Sequence, residues 1–209
     1  LVILTNRLSA TWKNSATLWD RVIKICPGSL AYANRGLVYK DEGKNKEALD
    51  MFTKAIDLNK FQTDALINRA NIFFRQQRYI SAIKDYSQCL KVEPENDLAL
   101  SNRGGAYLAI GMVDSARADL DRAIAINPLT KNGYRNRGML YILIRQYQDA
   151  INDYKKHLTL VQDETGEIWS KIGYAYQQLG EHRKAIDAFS KAINLYENSS
   201  YYYQRALSW

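Results

Sequence analysis

The stretch ALSNRGGAYLAIGMVDSARADLDRAIAINP, residues 99–128, decides how this sequence is read. Two runs of apolar periodicity flank a break at Ile110-Gly111-Met112, and Pro128 closes the second run, as expected of a residue that cannot continue a helix. Gly104, Ala116 and Ala123 supply small side chains where two antiparallel helices approach each other, and Tyr107 and Leu120 supply volume beside them. The same arrangement recurs along the chain. Gly36, Ala70, Gly104, Gly138 and Gly173 are spaced 34, 34, 34 and 35 residues apart. Ala48, Ala82, Ala116, Ala150 and Ala185 keep those intervals, as do Ala55, Cys89, Ala123, His157 and Ala192. Large residues follow the same step in two further series: Tyr39, Phe73, Tyr107, Tyr141, Tyr176, and Phe52, Tyr86, Leu120, Tyr154, Phe189. A fixed period shared by five series predicts a repeat protein in which each unit is a pair of helices of roughly 14 residues.

This pattern resembles the tetratricopeptide repeat (TPR) family over almost the whole chain. The small–Tyr–Ala–aromatic–Ala–Pro signature of that family is met by Gly36-Tyr39-Ala48-Phe52-Ala55 and by Gly104-Tyr107-Ala116-Leu120-Ala123-Pro128. Five repeats are read at 29–62, 63–96, 97–130, 131–164 and 165–198. Residues 1–28 hold an N-terminal helix and the second helix of a preceding half-repeat, and 199–209 begin a sixth repeat. The resemblance implies an all-α solenoid, a right-handed superhelix of helix-turn-helix hairpins with first helices on its concave wall. Tyr202, Tyr203 and Trp209 would leave an aromatic face uncovered at the C-terminal end, so either the chain continues or this end meets another molecule, a second copy included.

Composition narrows the function. Hydrophobic residues make up 46% and charged residues 24%, an ordinary globular balance. The net charge of +7 is spread out, +3 in residues 1–28, then +1, +1, −1 and +2 in the next four 34-residue blocks and +1 in 165–209, so no basic face gathers for nucleic acid. The 34-residue step also counts against the related RNA-binding pentatricopeptide repeats. The sequence has no GxxxxGK[ST], HExxH, GxSxG or CxxC motif, so neither a catalytic centre, a metal nor a cofactor is expected. Cys89 stands in a small-residue slot and reads as a buried hydrophobe, while Cys26 ends a helix beside Pro27.

The candidate binding residues come from the first helices. Asn34, Asn68, Asn102 and Asn136 occupy one register, two residues before each packing Gly or Ala, and the series then stops at Lys171 and Gln204. Asn is a mediocre helix former, so a row of them needs a reason. One reason is a ladder of amides that each donate to a C=O and accept from an N–H of an extended peptide. The other is that each amide bonds a neighbouring helix or faces water. A similar ladder lines the TPR superhelix of O-linked N-acetylglucosamine transferase. Neighbouring first helices lie about 10 Å apart and an extended chain advances about 3.3 Å per residue, so each rung addresses about every third ligand residue. Phe74, Leu108 and Ile142, with Ile67, Met139 and Leu143 nearby, make apolar flanks that favour an apolar or aromatic ligand. The family's carboxylate clamp is not matched, because Ala33 and Asn102 stand where it needs Lys and Arg.

Beside the Asn row runs an Arg row: Arg35, Arg69, Arg103, Arg137, then Ile172 and Arg205. Asp85, Asp119 and Asp153 share a register on the second helices, where the outer repeats have Met51 and Ala188. The charges disappear together at Ile172 and Ala188, which favours pairing within a hairpin: Arg69–Asp85, Arg103–Asp119 and Arg137–Asp153, with Arg35 left over. Near Val161–Gly166 the repeat gains a residue, lacks Pro and has His157 in a small slot, which predicts a local change of packing that ends the uniform groove.

The N-terminal residues Leu1-Val-Ile-Leu, Asn6-Arg7 and Trp12-Lys-Asn-Ser-x-Thr-Leu-Trp19 are similar to the junction in membrane-embedded, mannosyltransferase-like proteins with a TPR tail. That similarity implies a membrane tether upstream of Leu1, an extracytoplasmic tail, and a glycosyltransferase whose catalytic part lies elsewhere. An ordinary amphipathic capping helix is the other reading, and Arg7 and Lys13 lean toward the cytoplasm. Two functions therefore stand open: a peptide- or protein-binding scaffold, and the accessory tail of a membrane transferase.

Overall fold

Twelve α-helices, and no strand, occupy the described residues, 15–161 and 166–208, of the computed structural model. They are α1 (Ser15–Ile25), α2 (Ser29–Asp41), α3 (Asn45–Leu58), α4 (Thr63–Arg75), α5 (Tyr79–Val92), α6 (Asp97–Ala109), α7 (Val113–Ile126), α8 (Lys131–Leu143), α9 (Tyr147–Leu160), α10 (Gly166–Gln178), α11 (His182–Leu195) and α12 (Ser199–Ala206). Residues 1–14 of the N-terminal segment, the insertion near 162–165 and Trp209 lie outside the described residues. The chain divides into two units, one ending at Ala99 and the other beginning at Leu100, with α6 crossing the division.

In the first unit α1 packs on α2, α2 pairs with α3, α3 packs on α4, and α4 pairs with α5. Its cores are Ala33, Ala48, Phe52, Ala55, Ala65 and Ile72, then Leu66, Ile67, Ala70, Ala82, Tyr86 and Cys89. In the second unit α7 packs on α8, α8 pairs with α9, α9 packs on α10, α10 pairs with α11, and α12 closes on α11. Ala116, Leu120 and Leu140 form one core cluster there, and Ala150, Ile151, Tyr154, Ile168, Ile172, Ala185 and Phe189 are central to another.

Close approach explains why small and large residues alternate between partner helices. A Cβ placed on Gly36 would sit 2.6 Å from the Phe52 ring, and one on Gly138 would sit 2.8 Å from the Tyr154 ring. Each ring packs against bare backbone, so any side chain there would push the hairpin apart. The turns repeat as closely. Gly43, Gly111 and Gly180 have φ near +75°, and Gln77 and Arg145 take the same left-handed place at φ 60° and 62°. In the first turn Lys44 N–H donates to Tyr39 C=O at 2.8 Å, and in the fourth Gln146 N–H donates to Tyr141 C=O at 2.8 Å. These six-to-one bonds satisfy carbonyls that the helix end would otherwise leave open.

Two departures from the small-residue series have physical readings. Cys89 is fully buried and burial pushes its thiol up to about 12, so it stays protonated and inert. His157 fills its slot by donating Nδ1–H to the Lys131 carbonyl at 2.9 Å, and burial lowers its pKa. That carbonyl can only accept, which fixes the proton on Nδ1.

Candidate functional site

The ion pairs set the frame on which the first helices are presented. Arg69 Nε and Nη2 donate to the two carboxylate oxygens of Asp85 at 2.7 and 2.9 Å. Arg103 grips Asp119 in the same bidentate way at 2.7 and 2.8 Å, and Arg137 grips Asp153 at 2.7 and 3.0 Å. Arg35, facing Met51, turns instead to Asp20 of α1, at 2.7 and 3.1 Å. The sequence reading missed a second arm. Arg69 Nη1 donates to Thr53 Oγ1 at 3.2 Å, and Arg137 Nη1 to Asp121 Oδ1 at 2.8 Å. Each of these arginines therefore ties its own second helix to the preceding one. The register was visible in the sequence, since Thr53 and Asp121 each stand 16 residues before their Arg. The hydrogen bonds that Arg137 donates to Asp153 and then to Asp121 raise its pKa above the ordinary value, so it is always charged.

The Asn row is not a uniform ladder. Asn34 is half-buried on α2. Asn68 donates to Asp64 C=O of its own helix at 2.8 Å and accepts from Lys40 Nζ of α2 at 2.9 Å. In the second unit Asn102 accepts from Asn132 of α8 at 3.3 Å, and Asn136 donates to the Ser101 carbonyl of α6 at 2.9 Å. Asn136 crosses at the point where Gly105 leaves room, because a Cβ there would lie 2.8 Å from its amide nitrogen. Three of the four amides thus spend part of their capacity holding neighbouring first helices together.

The apolar flanks separate into two kinds. Ile67, expected beside the groove, is instead buried in the core with Tyr86 and Cys89. It fails that expectation because α4 packs against helices on more than one side, which buries a wider stripe than a single face. Phe74 is half-buried against the same core and meets Tyr79 edge-on, with centroids 5.4 Å apart. Leu108 packs on the Leu120–Leu140 cluster. Met139, at 43% exposure, and Ile142 instead open onto a cleft, while Leu143 is exposed.

That cleft lies within the second unit and has a volume of about 250 Å³. Met139 and Ile142 of α8, Ser170, Lys171 and Tyr174 of α10, and Ser200 and Gln204 of α12 line it, over a floor of Tyr154 and Phe189. Lys171 and Gln204 are the residues at which the Asn series stops, so the break in the pattern marks the site. Asn198, which reads as a glycosylation sequon with Ser200, caps α12 by accepting from Ser200 N–H at 2.9 Å. Lys171 Nζ is 3.6 Å from Glu167, which also receives Arg135 Nη2 at 3.4 Å. The Tyr147 and Tyr174 rings meet edge-on, their centroids 6.3 Å apart.

The floor contains one unsatisfied group. Tyr154 is fully buried, and its hydroxyl has no hydrogen-bond partner. Burial raises its pKa well above the ordinary phenol value, so it remains a donor at every working pH. Tyr86 holds the same place two repeats earlier and donates to Asn71 Oδ1 at 2.6 Å. The position equivalent to Asn71 is Met139. Among the described residues no group of three or more His, Cys, Asp or Glu could hold a metal, and no helix is long and apolar enough to cross a membrane.

Family models described as tetratricopeptide repeat match residues 29–61 and 63–96, 81–130, and 130–198. Sperm-associated antigen 1 of Rattus norvegicus is 29% identical over 91 residues, which cover 44% of this chain and 10% of that protein. The chain thus spans about a tenth of the length of that curated relative. Among solved structures, a chain of the APC/C hetero-tetramer Cut9-Hcn1 is similar with a TM-score of 0.79 and 21% identity, over 91% of this chain and 38% of that one. YrrB, described as a TPR protein with an unusual peptide-binding site, is similar with a TM-score of 0.69 and 16% identity, over 90% and 97%. At these identities the structural likeness shows the fold.

Proposed function

The chain belongs to the tetratricopeptide repeat family, and on that premise we propose that it is a non-enzymatic scaffold whose first helices bind an extended segment of a partner protein. One observation carries the reading: the cleft on α8, α10 and α12 sets an apolar wall, Met139, Ile142 and Tyr174, beside polar groups suited to backbone and side-chain hydrogen bonds. A pocket of mostly apolar lining with a few convergent polar groups is what peptide capture requires. The description of YrrB as having a peptide-binding site supports the same use of a similar fold. In the second unit Asn102 and Asn136 are proposed to extend the face, beside the bonds that tie them to neighbouring first helices. Asn34 and Asn68 are proposed as the equivalent rungs of the first unit, with Phe74 and Leu108 as their less accessible apolar flanks.

The reading is tested with capped nonapeptides on an array, probed with the whole chain and with two variants, Asn102→Ala/Asn136→Ala and Ile142→Asp. Two lost hydrogen bonds of about 1 kcal/mol each predict a loss of capture of about thirtyfold in the first variant. A charge on the apolar wall should reduce capture at least as much in the second. Capture equal to wild type in both variants, with the fold intact by circular dichroism, would remove the proposal.

A further inference from the structure

Within the second unit, the unsatisfied hydroxyl of Tyr154 asks for an explanation that packing does not give. Leaving a buried donor unpaired costs about 1–3 kcal/mol. Phe would avoid that cost, and Phe52 and Phe189 fill the same register elsewhere with full burial. The hairpin therefore does not need the oxygen. Tyr86 shows what the fold does when it keeps one, since Asn71 accepts its proton. In place of that acceptor stands Met139, a flexible, partly exposed thioether at the mouth of the cleft. A swing of that unbranched side chain about its rotatable bonds would open the hydroxyl to whatever occupies the cleft.

The cleft also has a charge preference. Lys171 and Arg135 share one carboxylate, Glu167, at 3.6 and 3.4 Å. Both distances exceed the roughly 2.7–2.9 Å of a strong charge-assisted bond, so a second carboxylate can compete for either cation. At about 250 Å³ the space is below the roughly 300–1,000 Å³ of a drug-sized site, and suits one side chain with its adjoining backbone.

We propose that the Tyr154 hydroxyl is a recognition donor, giving its hydrogen bond to a backbone carbonyl of a peptide whose apolar side chain lies on Met139, Ile142 and Tyr174 and whose neighbouring acidic side chain meets Lys171. This rests on the peptide-binding reading above and adds to it the chemistry of the ligand: an apolar residue beside an acidic one, in an extended segment. No covalent step is involved. Tyr154 acts only by binding.

The test uses the whole chain and N-acetylated, C-amidated nonapeptides with Leu, Phe or Met at the centre, next to Asp, Asn or Lys. Wild type should favour the Asp-bearing peptides, and Lys171→Ala should erase that preference while leaving the apolar one. Tyr154→Phe should weaken binding about tenfold, the value of one hydrogen bond, while its thermal midpoint stays level or rises. Met139→Asn, which supplies an internal acceptor, should weaken binding similarly. Unchanged affinity in Tyr154→Phe would overturn the proposal, and loss of capture in Asn102→Ala/Asn136→Ala alongside it would leave the broader peptide reading standing. A wild type that captures none of the peptides would overturn both. Equal affinity for Asp- and Lys-bearing peptides would overturn the acidic part of the ligand assignment.

Discussion

Hairpins α4–α5 and α8–α9 are built to one plan, yet they treat the same tyrosine differently. Tyr86 and Tyr154 both bury a ring beneath a small residue of the first helix, and both sit near an arginine–aspartate staple. In α4–α5 the phenol is closed off internally by Asn71; in α8–α9 Met139 stands in the place of that acceptor, and the buried phenol, in the floor of a cleft, has no partner. The contrast separates two kinds of constraint. Positions that match between the hairpins answer to the fold, and the position that differs while the fold holds answers to something outside it. In a repeat protein each hairpin serves as a control for the others.

The shared part of the plan should give the largest effects when broken. Arg69→Ala and Arg137→Ala each leave a buried carboxylate unpaired, and each should cost about 3 kcal/mol in denaturant unfolding. Arg137→Ala should cost more, because its second arm holds a carboxylate, Asp121 at 2.8 Å, where that of Arg69 holds only the Thr53 hydroxyl at 3.2 Å. Removing both charges in Arg137→Ala/Asp153→Ala should restore part of the loss, since no buried charge then stands alone. If single and double variants lose the same stability, the pair does not act as a unit, and the likeness of the two hairpins is only geometric.

The part that differs can be exchanged. Asn71→Met gives α4–α5 the arrangement of α8–α9, removes the acceptor of the Tyr86 hydroxyl, and should cost about 2 kcal/mol. The reciprocal Met139→Asn offers Tyr154 an acceptor and should gain about 1 kcal/mol, read as a higher thermal midpoint. A gain in one direction and a loss in the other would show that the fold prefers the closed phenol and that α8–α9 carries the open one at a cost. Losses in both directions would mean that each hairpin is locally adapted, and the comparison would no longer isolate the hydroxyl.

Much of this contrast could be read before any coordinates. The 34-residue step placed every Gly-over-ring contact, and the joint disappearance of charge at Ile172 and Ala188 pointed to pairing within hairpins. Two things were hidden. The second arm of Arg69 and Arg137 was missed because its acceptors are chemically mixed, Thr53 in one repeat and Asp121 in another, so no single residue type marks the register. Only the Met139 and Ile142 wall of the cleft is legible in the sequence, because the Asn series that marks the first helices ends before its other residues. Lys171, Tyr174 and Gln204 lie where it stops, and only packing of α8, α10 and α12 shows that they converge. Ile67 went wrong for a related reason: periodicity gives the direction of a side chain, but the number of neighbouring helices decides whether that direction is solvent.

The smallest expected effect tests whether the two hairpins share a backbone as well as a plan. Their turns are the ones that place a side-chain-bearing residue, Gln77 or Arg145, in the left-handed region where Gly43, Gly111 and Gly180 stand elsewhere. For an L-residue that conformation costs roughly 1–2 kcal/mol, and replacing it by Gly returns that amount less the roughly 0.5–1 kcal/mol of extra backbone entropy lost on folding. Gln77→Gly and Arg145→Gly should therefore each stabilise by about 0.5 kcal/mol, a rise in thermal midpoint of about 1–2 °C. Equal gains would place the two turns in the same strained geometry, so that the fate of the Tyr86 and Tyr154 hydroxyls follows from Asn71 and Met139 alone. A gain at Gln77 with a loss at Arg145 would instead give the α8–α9 turn a contact of its own through the Arg145 side chain, and the difference between the hairpins would begin at the turn beside Ile142.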